Sequence, residues 1–260
     1  MVKKITISVA IAVYNEEKNL ARCLKSVRDW VEEIVVVDGG SGDKTVEIAE
    51  SFNAKVIHTG NPQIFHINKQ KAIDACKGIW ILQLDADEAV TADLKLEILA
   101  MLQPTTYNLQ PKINGYWIPR RNYFLGRWLK KGGVYPEYTL RLYRNGKGRL
   151  PCKTVHEQAE VDGEVGYLKN DLLHYPYANF AEYLAKAEVY TDLTARLWRD
   201  QSVKINPITA LKYMIVMPVY TFFNIYFRHL GVLDLFPGFV WALFSALHFP
   251  QAYLKYLKIR

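Results

Sequence analysis

LQLDADEAV, residues 82–90, sets two aspartates and a glutamate directly behind an apolar run, Ile79 to Leu84. A short run of this kind, bounded by polar residues, reads as a buried strand. Asp85, Asp87 and Glu88 therefore crowd together where the strand leaves the core, and like charges brought this close repel one another. The expected compensation is a divalent cation that bridges the carboxylates to the phosphates of a ligand.

Upstream, the chain alternates between two periods. ITISVAIAV (5–13), EIVVVD (33–38), AKVIH (54–58) and IWILQL (79–84) are short β-branched or apolar runs, separated by charged amphipathic stretches over roughly 17–29, 43–52 and 67–76. The alternation predicts an α/β fold, a mostly parallel sheet with helices on both faces. In such sheets ligands bind beyond the carboxyl ends of the strands. Tyr14-Asn15-Glu16 follows the first strand, DGGSGD (38–43) the second and DADE (85–88) the fourth, so three strand ends converge on one crevice.

These clusters suit a phosphate-bearing ligand with a metal. Mg²⁺ usually takes one or two carboxylates and completes its shell with phosphate oxygens. Asp85 and Asp87, with one residue between them, point to the same side of a regular strand, and a turn just beyond it can aim both at one ion or at a nucleotide. D-x-D alone also describes acidic pairs that merely solvate a loop. In DGGSGDKT (38–45), Gly39, Gly40 and Gly42 permit tight turns and close ligand approach, and Ser41 or Asp43 can cap the helix that follows. A plain strand-to-helix turn would use the same residues, but Asp38 puts a carboxylate at the end of an otherwise apolar strand.

Together AVYNEE (12–17), DGGSGDKT (38–45) and LDADE (84–88) resemble, in order and spacing, three hallmarks of family 2 glycosyltransferases of the GT-A fold. The resemblance implies a Rossmann-like domain that binds a nucleotide sugar. It makes Tyr14, Glu16 and Asp38 nucleotide contacts, Asp38 reading the base, Asp85 a ribose or metal contact, and Asp87 the principal ligand of a Mg²⁺ or Mn²⁺ ion. Ala12 stands where family members often carry proline, which would mainly stiffen the loop. NYFLGRWLKKGGVYPEYTLRLYRNGKG (122–148), followed by VHE (155–157), is similar to the lipopolysaccharide core glucosyltransferases and their relatives, so the likeness extends over most of the chain.

That subgroup implies Glu157 as the catalytic base. Displacing a nucleoside diphosphate from an anomeric carbon with inversion needs one carboxylate to take the acceptor hydroxyl's proton while cations stabilise the leaving diphosphate. Without the resemblance, Glu157 would read as a solvated loop glutamate. His156 beside it either orients it or is a structural, hydrogen-bonding histidine. His174, in LLHYPY (172–177), completes the metal's shell as late histidines of GT-A enzymes often do, or is a half-buried histidine next to aromatics. Lys71, on the helix before the D-x-D strand, faces the diphosphate or meets water.

At 260 residues, half of them apolar, the chain can bury one large core or a core with an appendage. A formal charge of +7 and a pI near 9.1 point to an anionic partner. Between Arg120 and Lys153 ten Lys or Arg face one acid, Glu137, with Tyr, Trp and Phe interleaved. Such a stretch can stack nucleic-acid bases, but beside donor-site motifs an acidic diphosphate or a phosphate-bearing acceptor explains it better, and no nucleic-acid partner is expected. Arg141 and Arg144 precede Asn145-Gly146, which reads as a hairpin turn; a solvated basic hairpin is the plainer alternative. Cys23, Cys76 and Cys152 are odd in number and lack C-x-x-C spacing, which argues against a disulfide framework or a zinc site and fits a reducing cytosol. Lys3 and Lys4 before ITISVAIAV make too short a run for a signal peptide, with no small-residue cleavage site, and the segment is read as a first strand.

An amphipathic helix is expected from Asn179 to Asp200. Beyond it, MIVMPVYTFFNIYF (214–227) and LFPGFVWALFSALHF (235–249) are strongly apolar and aromatic, yet shorter than the ~20 residues of a spanning helix and interrupted by Pro218 and Pro237. With Arg228, Lys255, Lys258 and Arg260 at their flanks, they suit helices lying in a membrane interface, or else a helical subdomain packed on the core. The expected organisation is a catalytic domain over 1–178 and a helical, membrane-associating region over 179–260, on the cytoplasmic face of the cell membrane.

The expected activity is an inverting, metal-dependent transfer of a hexose, glucose by subgroup, from a nucleotide diphosphate sugar, UDP by family habit. The acceptor would be a lipid-linked or phosphorylated glycan of the cell envelope, such as the lipopolysaccharide inner core. Two readings compete. A haloacid-dehalogenase-like phosphatase would use Asp85 as nucleophile and Asp87 as acid, although Ala89 stands where that motif wants Thr or Val. A membrane-bound nucleotide-sensing module would bind without turnover.

Overall fold

The computed structural model describes residues 6–102, 113–153 and 158–259. The chain forms two compact units: Met1–Arg120 with Glu137–His174, and Arg121–Pro136 with Tyr175–Arg260. Each unit is thus assembled from two separate stretches of sequence.

In the first unit β1 (Ile7–Val13), α1 (Leu20–Val27), β2 (Glu33–Asp38), α2 (Thr45–Ser51), β3 (Lys55–His58), α3 (His66–Asp74) and β4 (Trp80–Asp85) alternate as the sequence predicts. They are followed by β5 (Glu88–Val90), α4 (Ala92–Leu102) and β6 (Ile113–Phe124). A short β7 (Arg127–Trp128) lies in the stretch that joins the second unit. The chain then returns with β8 (Glu137–Arg144), β9 (Gly148–Arg149), β10 (Glu160–Val161), β11 (Glu164–Tyr167) and β12 (Leu172–His174). The main sheet runs β3-β2-β1-β4-β8-β6-β12-β5, with β11 beside β6. β3, β2, β1 and β4 are parallel neighbours, whereas β8 pairs antiparallel with β4 and β6, and β12 with β5.

Side-chain alternation explains why the first strands read as nearly unbroken apolar runs. Ile7, Val9, Ile11 and Val13 of β1, with Trp80, Leu82 and Leu84 of β4, pack on Leu20, Leu24 and Val27 of α1 and on Leu94 and Ile98 of α4. Ala10, Val35, Val37 and Ile81 face the opposite side, against Ala72 and Ile73 of α3. Both faces are covered, so both parities are apolar. The parity of Ile81 carries Gln83 and Asp85 out on the α3 side, where the site forms.

Asn145-Gly146 does make a turn, with Gly146 at φ +76° and the Lys147 N–H donating to the Arg144 carbonyl at 3.0 Å. It is not a hairpin, however. β8 already has partners on both edges, and β9 leaves to pair with β10 in a separate two-stranded sheet.

In the second unit α5 (Phe180–Asp200) starts where expected, with the Asn179 side chain accepting from the Glu182 N–H at 2.9 Å. Two apolar helices follow, Pro207–Arg228 and Gly231–Ile259, and by length and composition both are long enough to cross a membrane. The expectation that prolines keep these runs short fails. Just before Pro218 the stretch Lys212–Val216 is wound as a π-helix, whose wider turn tolerates a residue with no N–H to donate. Pro237 falls in the first turn of Leu235–Ile259, where N–H groups have no intrahelical partner anyway.

Residues 121–136 are stitched to the turn between these helices. The N–H groups of Lys130 and Lys131 donate to the two carboxylate oxygens of Asp234 at 3.1 and 2.7 Å, and that of Gly132 to the His229 carbonyl at 2.8 Å. Gly132 and Gly133, at φ +69° and +75°, allow the chain to reverse here. Leu129 and Phe124 are buried with Tyr183 and Val240.

Candidate active site

Asp85 ends β4 facing α3 and β8. Its Oδ2 accepts from Arg141 Nη2 at 2.6 Å, while Oδ1 pairs with Lys69 Nζ and accepts from Gln83 Nε2 at 3.2 Å. Arg141 lies on β8, one position beyond the Leu82–Leu142 pairing, which sets it opposite Gln83; its Nη1 donates to Gln83 Oε1. Glu88 is fully buried, and its Oε1 accepts from Arg141 Nη2 at 2.8 Å and from Arg120 Nη1 at 3.1 Å. Its Oε2 accepts the Asp85 amide at 2.9 Å. Arg120 also reaches Glu137, at 2.8 Å.

The repulsion posed by the sequence is therefore offset from within the chain. Lys69, Arg120 and Arg141 neutralise Asp85 and Glu88. Burial alone would raise the Asp85 carboxyl, but Arg141 and Lys69 outweigh it and hold the group well below the usual carboxylate range. Burial alone would likewise lower the Arg141 guanidinium, and Asp85 and Glu88 reverse that and keep it charged.

Asp87 stands apart from this network. It lies in the turn after β4, and its Oδ2 is 3.4 Å from His174 Nε2. The antiparallel pairing of β12 with β5 puts His174 opposite Glu88 and so brings a residue from 87 positions later to the turn. Asp85 and Asp87 thus meet different partners instead of converging. Among the described residues no group of three or more His, Cys, Asp or Glu gathers. A carboxylate with an imidazole is nonetheless a donor set that suits a cation completed by diphosphate oxygens and water.

The nucleotide-side residues occupy the neighbouring strand ends. Asp38 is buried at the end of β2, accepting from the Gly40 N–H at 3.1 Å, the Ser41 N–H at 3.1 Å and the Ser41 hydroxyl at 2.6 Å. The Ser41 N–H is shared with the second carboxylate oxygen at 3.2 Å and His58 Nδ1 stands 3.7 Å away, so the carboxylate first of all shapes its own loop. The Asn15 N–H donates to Ser41 Oγ at 2.9 Å and the Gly42 N–H to Asn15 Oδ1 at 2.8 Å, tying the first two motifs together. Tyr14 beside them is exposed. Glu16 serves the start of α1: its carbonyl accepts from Leu20 N–H at 2.9 Å, and its carboxylate from Asn19 Nδ2 at 3.0 Å. Lys71 Nζ donates to Thr59 Oγ1 at 2.7 Å, and the Thr59 N–H donates to the Asp38 carbonyl at 2.8 Å, so Lys71 sits at the same rim.

Glu157 and His156 lie outside the described residues. Tyr14, Glu16, Asp38, Lys71, Asp85, Asp87 and His174 lie at the carboxyl ends of β1 to β4 or on the elements beside them, whereas Arg144 pairs opposite Trp80 at the amino end of β4, over its ring at 5.1 Å. Sequence reading missed Lys69 and Gln83 as parts of the site, placed Glu88 in the acidic cluster without its arginine partners, and treated the basic stretch that holds Arg120 and Arg141 as diphosphate or acceptor contacts. The alternation Ile81-Gln83-Asp85 was a usable signal for Gln83. No local pattern marks Lys69 over Lys71, because that choice depends on the rotation of α3 against β4.

The profile of "Glycosyl transferase family 2" matches residues 8–156. The chain is 30% identical over 263 residues to the lipopolysaccharide core biosynthesis glycosyltransferase LpsC of Rhizobium meliloti, covering 95% of this chain and 92% of that protein. An uncharacterized glycosyltransferase of Rickettsia bellii is 27% identical, over 98% of this chain and 86% of its own. Among solved structures, residues 1–349 of S. aureus TarS in complex with UDP share the fold, with a TM-score of 0.51 and 16% identity over 98% of this chain and 92% of that chain. The matched span contains all three motifs and the strands that present them, and the chain belongs to glycosyl transferase family 2, with a GT-A fold and a C-terminal helical region.

Proposed function

We propose that the chain transfers a hexose, glucose in the first instance, with inversion from a UDP-sugar to a cell-envelope acceptor such as the lipopolysaccharide inner core. One observation carries this reading: Asp85 and Glu88 are neutralised internally, while Asp87 with His174 is left as a donor pair at the mouth of the crevice. Asp87 and His174 would hold Mg²⁺ or Mn²⁺, which when bound supplies Lewis-acid stabilisation of the leaving diphosphate. Asp85 holds Lys69 in place through their ion pair. Tyr14 offers its exposed ring and Asp38 its carboxylate to the base, with Lys71 at the rim for a phosphate. Glu157 takes the proton of the acceptor hydroxyl. The UDP complexes of TarS and the name of LpsC are in keeping with this donor and this acceptor class.

The helical region is proposed as a peripheral attachment to the cytoplasmic face of the membrane. Lys255 pairs with Glu188 and Asp192 of α5 at 2.7 and 2.8 Å, so the last helix is lined on one side by a helix too charged to enter hydrocarbon. The phosphatase reading is set aside, since it needs Asp85 as a free nucleophile and both its oxygens are engaged.

Asp87→Ala is expected to abolish Mn²⁺-dependent UDP binding measured by calorimetry; affinity equal to the parent's would refute the assignment. Glu157→Gln should bind nucleotide and transfer nothing. A parent that binds UDP but turns over no sugar from a UDP, GDP and dTDP donor panel would leave the sensing module as the better reading.

A further inference from the structure

The turn between the two apolar helices carries choices of residue that the fold does not require. Leu230 and Leu235 hold left-handed backbone, at φ +59° and +57°, where glycine is relaxed and leucine is strained. Both side chains are exposed, and so are their neighbours: Leu233, Leu235 and Phe236 are 56, 60 and 69% accessible. Leucine in such a place loses backbone comfort without gaining burial, and strain kept at an exposed site points to a use outside the fold.

The same turn gathers positive charge. Lys130 and Lys131 are tied to it through their own amides on Asp234, and their side chains are exposed, as are those of Arg127 and Arg228. Residues 121–136 and 224–240 contain five Lys or Arg and one acid. That acid is Asp234, buried and occupied by the two amides. Lys130 also lies over the Trp128 ring, 4.7 Å from its centroid. An apolar tip within a basic collar, free of exposed carboxylate, is chemically complementary to anionic headgroups over hydrocarbon. The helix Pro207–Arg228 extends the same chemistry, with Ile208, Leu211, Ile215, Val219, Phe223 and Phe227 exposed at helical spacing. A stripe roughly 30 Å long with no acid on it fits an extended, uniform surface.

We propose that this turn is the element that engages the membrane: Leu230 to Phe236 enter the headgroup layer, and Arg127, Lys130, Lys131 and Arg228 bind the phosphates of anionic phospholipid. The proposal deepens, and rests on, the reading of the helical region as membrane-associating. Co-sedimentation of the full chain with vesicles of phosphatidylcholine, alone or mixed with phosphatidylglycerol, tests it. The parent should bind the mixed vesicles more tightly. Lys130→Glu with Lys131→Glu keeps the backbone amides that Asp234 needs, and should weaken binding to mixed vesicles by roughly tenfold or more while leaving phosphatidylcholine binding unchanged. Leu230→Gly with Leu235→Gly should weaken binding to both vesicles and leave Tm unchanged or higher; a purely structural role would lower Tm.

Equal binding of the parent to both vesicle types, or full binding by the charge-reversed variant, overturns the proposal while leaving membrane association intact. No binding to any vesicle overturns both and indicates a protein partner on this face. Sugar release from the donor, followed in the same samples, reports separately on the transferase reading.

Discussion

Arg141 holds the balance of charge at the site. Buried on β8, it bonds Asp85, Glu88 and Gln83 at once, so its loss would leave Asp85 to Lys69 alone and Glu88 to Arg120 alone. Breaking a buried ionic network from one side costs about 3–5 kcal/mol, and Arg141→Met is expected to lower Tm by about 10 °C in thermal unfolding. Asp85 adds a pH dependence of defined sign. Its carboxyl is depressed in the folded state, so the stability it contributes is complete above the unfolded value of about 4 and is lost as pH falls from there through the folded value. Asp85→Asn should therefore be less stable than the parent at neutral pH, with the difference shrinking only below about pH 4. None of this was legible in the D-x-D motif, which shows where carboxylates lie but not which cations face them.

At the level of elements, legibility followed periodicity. β1 to β4 and α5 were plain because their signals are local: two-sided apolar runs, and an asparagine cap ahead of an amphipathic stretch. The prolines of the apolar helices misled, since a π-turn before Pro218 and a first-turn position for Pro237 are set by helix register and not by the residue type. Asn145-Gly146 misled in another way, for a turn signal cannot say whether the strands around it already have partners. The least legible element was the 121–136 segment, whose hydrogen-bonded attachment runs to Asp234 and the His229 carbonyl, both distant in sequence. Asp234→Ala should release it. Hydrogen exchange is expected to accelerate at the amides of Lys130 and Lys131 and to stay as in the parent in β1 to β4. Slow exchange at those two amides in the variant would show that Leu129 and Phe124 suffice to hold the segment.

For the whole molecule, division into two units divides its chemistry. The first holds the described donor-site motifs, and the second holds both apolar helices. Attachment through one face of the second unit, without a spanning segment, is expected to yield to alkaline carbonate. Membranes washed this way should release the protein to the supernatant, and retention in the pellet would mean that at least one of the two helices crosses the bilayer.

The ion pairs beneath the crevice also bear on how such a protein is made. Lys69, Arg120 and Arg141 match Asp85, Glu88 and Glu137 in number, so the charges beneath the crevice balance within the nascent chain itself. An ion held at the proposed Asp87–His174 pair would then serve the ligand and not act as mortar between the strands.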